Sequence, residues 1–218
     1  MEFSALPEEL IFKVFSYLLH RSLLAASQVS KKWKKVAFDP LLWTEITIDA
    51  SIESPTMHVG AILRRATMLR RLDISRSSLN LGEVASATPS FRHLNELAIH
   101  SSMLSHPAVP QILQSCESLT SLVLRGRCAL SEENIQVLEN LPGLKSLDVS
   151  EEVRMCDEII RRICLSCPRL EELKVNTKSV RVSGAWSSFL APQAPLRDHF
   201  PYKCTAIVLP LLPESRVT

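Results

Sequence analysis

Glycine is scarce in this chain, with 5 among 218 residues, and none lies in a run that could cradle a phosphate. Aromatic residues make up only 6%, so a stacking platform for single-stranded nucleic acid has little to build on. Neither sign of charge dominates. Against 25 Lys and Arg stand 23 Asp and Glu, and a net charge of +2 makes no field for a polyanion or a membrane surface. No apolar run reaches the ~20 residues of a membrane helix. The longest candidate, residues 10–29, is cut by Lys13, His20 and Arg21. The opening "MEFSALPEEL" has no basic segment ahead of a hydrophobic one, so no secretory signal is expected. HExxH, GxSxG and a second CxxC are missing as well, which leaves no catalytic residue, metal site or cofactor to expect. The 6 cysteines then read as reduced thiols of a cytosolic or nuclear protein.

What the chain has is repetition. "LRRLDIS", "LNELAIH", "LTSLVLR", "LKSLDVS" and "LEELKVN" start at Leu69, Leu94, Leu119, Leu144 and Leu170, spacings of 25, 25, 25 and 26 residues. A weaker copy, "WTEITID", starts at Trp43. In each copy positions 4 and 6 are apolar between polar neighbours, which predicts a short strand with one buried face. Helix-like stretches lie between the copies: "MHVGAILRRATM", "PAVPQILQSC", "SEENIQVLENL" and "CDEIIRRICLSC". In the third, a serine start precedes a stripe of Ile135 and Leu138, and Pro142-Gly143 stops it. One strand and one helix per period stack into a parallel solenoid, each unit covering its neighbour's core.

The pattern resembles leucine-rich repeats, and Cys116 and Cys167, three residues before a repeat leucine, resemble the cysteine-containing subtype found in many F-box proteins. Cys164 and Cys167 form a CxxC, but in the repeat register both fall at a helix end that packs on the next strand, so packing is expected of them. Position 9, usually Asn or Cys in that family, holds Ser77, Ser102, Arg127, Glu152 and Lys178, which predicts irregular loops. Residues 177–218 contain several prolines and no repeat leucine pattern. They read as an irregular, partly disordered tail that leaves the strand near Leu173 with a bare edge.

The first 42 residues follow another rule. In "LPEELIFKVFSYLL" the apolar residues cover roughly 220° of a helix, about twice the stripe one core needs. Three helices fit residues 7–19, 22–29 and 30–38, the last stopped at Asp39-Pro40. A piece of this size cannot bury its own apolar surface. Helical angles turn Phe12, Phe15 and Leu19 inward and Leu10, Val14 and Leu18 outward, with Ile11 on the border. "KKWKK" at 31–35 reads as a solvated face with Trp33 turned in, so no nucleic-acid partner is expected.

The LP start, "VFSYL", Leu24 and Val29, "VSKKW" and "FDPLLW" resemble the F-box along its whole length. The resemblance implies docking on a Skp adaptor, and through it on a cullin and a RING subunit. It places the contacts on Leu6, Pro7, Leu10, Ile11, Val14, Leu18, Leu24, Val29 and Trp33, while Phe15 and Val36 hold the helices together. The whole chain then reads as an α/β protein: an F-box over 1–42, repeats over 43–176 and the tail. The implied function is a non-catalytic substrate receptor of an SCF-type ubiquitin ligase. The alternative is a truncated isoform or adaptor that binds without promoting ubiquitination. Positions 3, 5 and 7 of each strand point away from the core. Arg71, Asp73, Glu96, His100, Val123, Arg125, Asp148 and Lys174 are therefore the candidate surface for a target protein, and Arg71, His100 and Arg125 a possible basic strip on it.

Overall fold

The strands form where the repeats place them. The computed structural model describes residues 6–49, 59–87, 91–126, 132–141, 143–149, 155–176, 180–181 and 205–209. The chain divides into two compact units, Met1–Asn95 with Gln111–Ser118, and Glu96–Pro110 with Leu119–Thr218.

The first unit opens with α1 (Glu8–Phe15), α2 (His20–Ala26) and α3 (Lys31–Ala37), each shorter than expected at its carboxyl end. Pro7 precedes α1, and Glu8 and Glu9 occupy its first turn, where the helix dipole favours acid. Ser30 caps α3 by accepting from the Trp33 N–H at 3.1 Å. Asp39 accepts from the Leu41 N–H and starts a 3-10 turn over Pro40–Leu42. Then come β1 (Glu45–Asp49), α4 (Val59–Arg65), β2 (Arg71–Arg76) and α5 (Leu81–Ala85). β1 and β2 pair in parallel with Glu45 opposite Arg71, the 26-residue offset of their copies. α5 has no counterpart among the helical stretches read from the sequence. Its mark is Asn80, whose side chain accepts from the Gly82 N–H at 2.9 Å.

One residue ties the helices to the first strand. Trp43 is buried, donates its Nε1–H to the Ala37 carbonyl at 2.7 Å, and stacks on His20 at 5.0 Å and Phe38 at 6.0 Å. The Arg65 guanidinium of α4 lies 4.6 Å over the outer ring, Phe38.

The second unit holds β3 (Glu96–His100), a 3-10 turn at Ser101–Ser105, β4 (Ser121–Arg125), α7 (Glu132–Glu139), β5 (Ser146–Val149), β6 (Met155–Cys156), α8 (Asp157–Ser166), β7 (Glu172–Asn176), β8 (Val180–Arg181) and β9 (Thr205–Leu209). The remaining helix, α6, is Val109–Gln114. Glu96, Ser121, Ser146 and Glu172 stand side by side in one parallel register, so the sequence period has become a ladder. The repeat leucines Leu94, Leu119, Leu144 and Leu170 are buried, as are Ile135 and Leu138 of α7. Arg162 of α8 donates to Glu139 at 2.9 Å and to Glu132 at 2.7 Å, joining α8 to α7.

The strand edge at Leu173 is not bare. β9 pairs with β7 in parallel, Glu172 opposite Thr205 through Asn176 opposite Leu209. The segment "TAIVL" arrives 33 residues after its partner rather than 25, so a search for the repeat period passes over it. β8 pairs with β6. The rest of the expected tail lies outside the described residues.

Candidate functional site

The N-terminal helices divide their apolar residues between an inside and an outside. Ile11 is 1% exposed and Phe15 is buried with it; the Phe15 ring meets Trp33 edge-on at 5.3 Å, and buried Val36 of α3 completes this interior. Phe15 and Val36 thus hold the helices together as expected. On the other side, Leu10 is 52% and Val14 45% exposed, one helical turn apart, and Leu18 continues their line past the end of α1. Val29, after α2, is exposed as well.

Of the residues expected to meet an adaptor, Pro7, Leu10, Val14, Leu18 and Val29 lie open, and Leu6 and Trp33 are half-buried. The Lys32 ammonium donates to the Leu6 carbonyl, fixing the chain ahead of α1 onto α3. Ile11 and Leu24 are placed differently. Both are buried within the unit's own core, Ile11 because it falls one residue from the outward line and shares the side of Phe15. Leu19, placed inside by helical angle, is 80% exposed. Helix α1 ends at Phe15, and Leu19 sits in extended backbone ahead of α2, so the 100° step no longer applies to it. Tyr17, which the helical-angle division left unassigned, is exposed too, with the Lys13 ammonium 5.4 Å from its ring.

The back of α1 is polar. Lys35 of α3 reaches Glu8 at 2.7 Å, and this bond raises the lysine pKa. Beside it a shallow cleft of about 390 Å³ is lined by Glu8, Glu9, Phe12, Lys35, Val36, Asp39 and Leu41. At the junction with β1, burial pushes the His20 pKa below the ordinary histidine value, with Glu45 pulling weakly the other way.

The strand faces carry the other set of candidates. In the first unit Arg71 is exposed, but Asp73 is buried: it accepts from the Ser75 N–H at 3.0 Å and the Ser75 hydroxyl at 2.6 Å. Its carboxylate is turned into its own strand, so it does not belong to an open target surface. In the second unit Glu96, His100, Val123, Arg125, Asp148 and Lys174 are all half-buried on one face. Lys174 pairs with Glu172 at 3.2 Å, and Glu172 also accepts from the Ser146 hydroxyl at 2.7 Å. Of the three residues of the expected basic strip, His100 and Arg125 stand opposite one another in register, and Arg71 belongs to the other unit. At position 9, Ser77 folds its hydroxyl onto the Ile74 carbonyl and Ser102 joins the 3-10 turn after β3. Arg127, Glu152 and Lys178 lie outside the described residues.

The cysteines pack. Cys164 and Cys167 are buried, and the Cys167 thiol lies 3.6 Å from the Leu138 carbonyl of α7. Burial, with Glu139 nearby, pushes its pKa up to about 11. The Cys116 thiol donates to the Ile112 carbonyl at 3.0 Å, and burial raises it to about 12.

Residues 3–49 match the F-box-like family, and residues 44–138 match the family described as FBD-associated F-box protein At5g56370, LRR repeats. A putative FBD-associated F-box protein of Arabidopsis thaliana is 25% identical over 195 residues, covering 84% of this chain and 40% of that protein. An FBD-associated F-box protein of the same plant is 25% identical over 193 residues, 79% of this chain and 44% of its own length. The F-box/WD repeat-containing protein pof1 of Schizosaccharomyces pombe is 50% identical, but over 40 residues, 18% of this chain and 7% of its own. The chain thus spans less than half the length of the plant relatives it matches. An F-box-like match over the segment that carries the exposed helical stripe is thus followed directly by a match to the leucine-rich repeats of FBD-associated F-box proteins, the two together spanning residues 3–138.

Proposed function

We propose that the chain is the substrate-recognition subunit of an SCF-type ubiquitin ligase. The N-terminal helices dock on a Skp adaptor, which links them to a cullin and a RING subunit, and the repeats hold a target protein. The receptor performs no chemistry itself; it brings a target lysine near a loaded thioester, so its contribution is proximity.

The observation that carries this reading is the apolar line Leu10, Val14 and Leu18, open on a unit whose opposite side is already closed by Ile11, Phe15 and Val36. Covering these half-exposed side chains contributes about 1 kcal/mol each. That favours a second protein over water, and the F-box-like match supports a Skp adaptor as that protein. Co-expression with a Skp adaptor tests it. The adaptor is expected to co-purify with the native chain and to be lost from Leu10→Glu combined with Val14→Glu, with the circular dichroism spectrum unchanged. Adaptor retained by that folded double variant removes the reading.

A further inference from the structure

The cleft of about 390 Å³ lies on the side of α1 away from the apolar line. At the helical step of about 100°, Phe12 stands roughly 180° around α1 from the midpoint of Leu10 and Val14. Phe12 and Leu41 supply apolar lining, and Leu41 is 59% exposed. The rest of the lining is charged and uneven. Glu8, Glu9 and Asp39 bring three carboxylates, and Lys35 brings one ammonium. That ammonium is bonded to Glu8 at 2.7 Å, with Glu9 a weaker neighbour. Glu8 and Glu9 start α1, where the helix dipole favours acid, and Asp39 caps the 3-10 turn by accepting from the Leu41 N–H at 3.0 Å. These roles place the carboxylates without cancelling their charge. The cleft therefore keeps an excess of negative charge over its single lysine.

Such a site is complemented by a cation joined to an apolar group. Among the described residues no group of three or more His, Cys, Asp or Glu could hold a metal ion, so the complementary charge is not a bare divalent cation. An anion, phosphate included, is repelled. Small-molecule sites of roughly 300–1,000 Å³ enclose most of their ligand. This cleft is shallow, and a free amine in it would stay largely wet. A side chain held by a structured partner gives up less freedom on binding. The occupant that fits is an apolar side chain beside a lysine or arginine on another protein.

We infer that this cleft docks a second protein partner, which sets an apolar side chain against Phe12 and Leu41 and a neighbouring lysine or arginine against Glu9 and Asp39. The site itself does not rest on the receptor reading; only its coexistence with a bound adaptor does. Because the cleft lies across α1 from Leu10 and Val14, the adaptor and this partner are held at once.

A display library of disulfide-cyclised peptides selected on the full chain tests this. Enriched peptides are expected to carry a large apolar residue within about four positions of Lys or Arg, one helical turn. Glu9→Lys combined with Leu41→Ser changes two exposed side chains, so the circular dichroism spectrum should not move. The pair should weaken a selected peptide about tenfold or more. Glu9→Lys alone should prefer the peptide whose Lys or Arg is replaced by Glu. A selected peptide should bind the chain as tightly with the adaptor present as without it. Undiminished binding to the folded double variant, or enriched peptides that lack a cation, overturns the cleft. Displacement of the peptide by n-butylammonium at equal concentration would make the site one for a free amine. Self-association of the chain that the peptide blocks would make the occupant a second copy, and either result overturns the partner inferred. Loss of the peptide on adaptor binding overturns the second partner while leaving the receptor reading intact. No enriched peptide overturns the cleft, whether or not the adaptor co-purifies.

Discussion

The leucines on the outer side of the N-terminal helices and the leucines that open each repeat are the same residue type with opposite fates. Leu94, Leu119, Leu144 and Leu170 are buried, while Leu10, Leu18 and Leu19 face water. The difference is one of supply. A repeat leucine lies between a strand and a helix of its own copy, and another copy follows about 25 residues later. Helix α1 has eight residues and two neighbours of seven, which can close one of its sides. Among the described residues the leucines that open each repeat are thus buried, with Leu165 of α8 an exposed exception elsewhere in the repeats, while the outer line of the helices is left open.

A pair of substitutions of equal chemistry puts the comparison to its strongest test. Leu147→Ala empties a fully buried site between neighbouring strands and is expected to cost about 2–5 kcal/mol in urea unfolding. Leu10→Ala on the open line is expected to change stability by no more than about 0.5 kcal/mol. Equal losses would mean that the two regions do not differ in closure.

The repeat interior should also exclude reagents. Cys116 and Cys167 are raised to about 12 and about 11 by burial. Native-state alkylation at pH 8, followed by mass spectrometry, should be roughly a hundredfold slower at Cys167 than at an ordinary thiol, and slower still at Cys116. In urea the difference should vanish. Rapid native alkylation would show that the repeats open far more readily than their packing implies.

The repeats were almost wholly legible because each copy restates the last. Five aligned segments predicted five strands, and a sixth weak copy predicted β1. What escaped lacked the repeat's spacing or its symmetry. β9 comes at the wrong interval, and α5 is a single turn announced by one capping asparagine. Within the strand faces, alternation did not foresee that Asp73 would satisfy its carboxylate on Ser75. The helical line was legible only in part. Angles sort residues along a continuous helix; they misplaced Leu19 because the helix ends at Phe15. The border residue Ile11 went inward because the interior needed a side chain beside Phe15.

Trp43 stands at the seam of the comparison, and its hydrogen bond gives a smaller test. Trp43→Phe keeps much of the stacking on His20 and Phe38 but leaves the Ala37 carbonyl without its Nε1–H donor. A buried acceptor left unmade costs about 1–3 kcal/mol, readable as a lower urea midpoint. No loss would mean that stacking alone joins the helices to β1.

The smallest effect is a pH dependence at the same seam. Burial against Trp43 holds the His20 pKa below its unfolded value near 6.5, so the unfolded chain binds the proton more readily. The contribution of neutral His20 is complete above pH 6.5. It is lost as pH falls from there through the depressed folded value, with Glu45 reducing the loss by favouring the charged ring. Urea midpoints at pH 7.5 and pH 5.5 should therefore differ in the native chain. His20→Phe keeps an aromatic ring on Trp43 and removes the titration, so its two midpoints should lie closer together. An undiminished pH dependence in that variant would assign the titration to another group and leave His20 as a stacking residue alone.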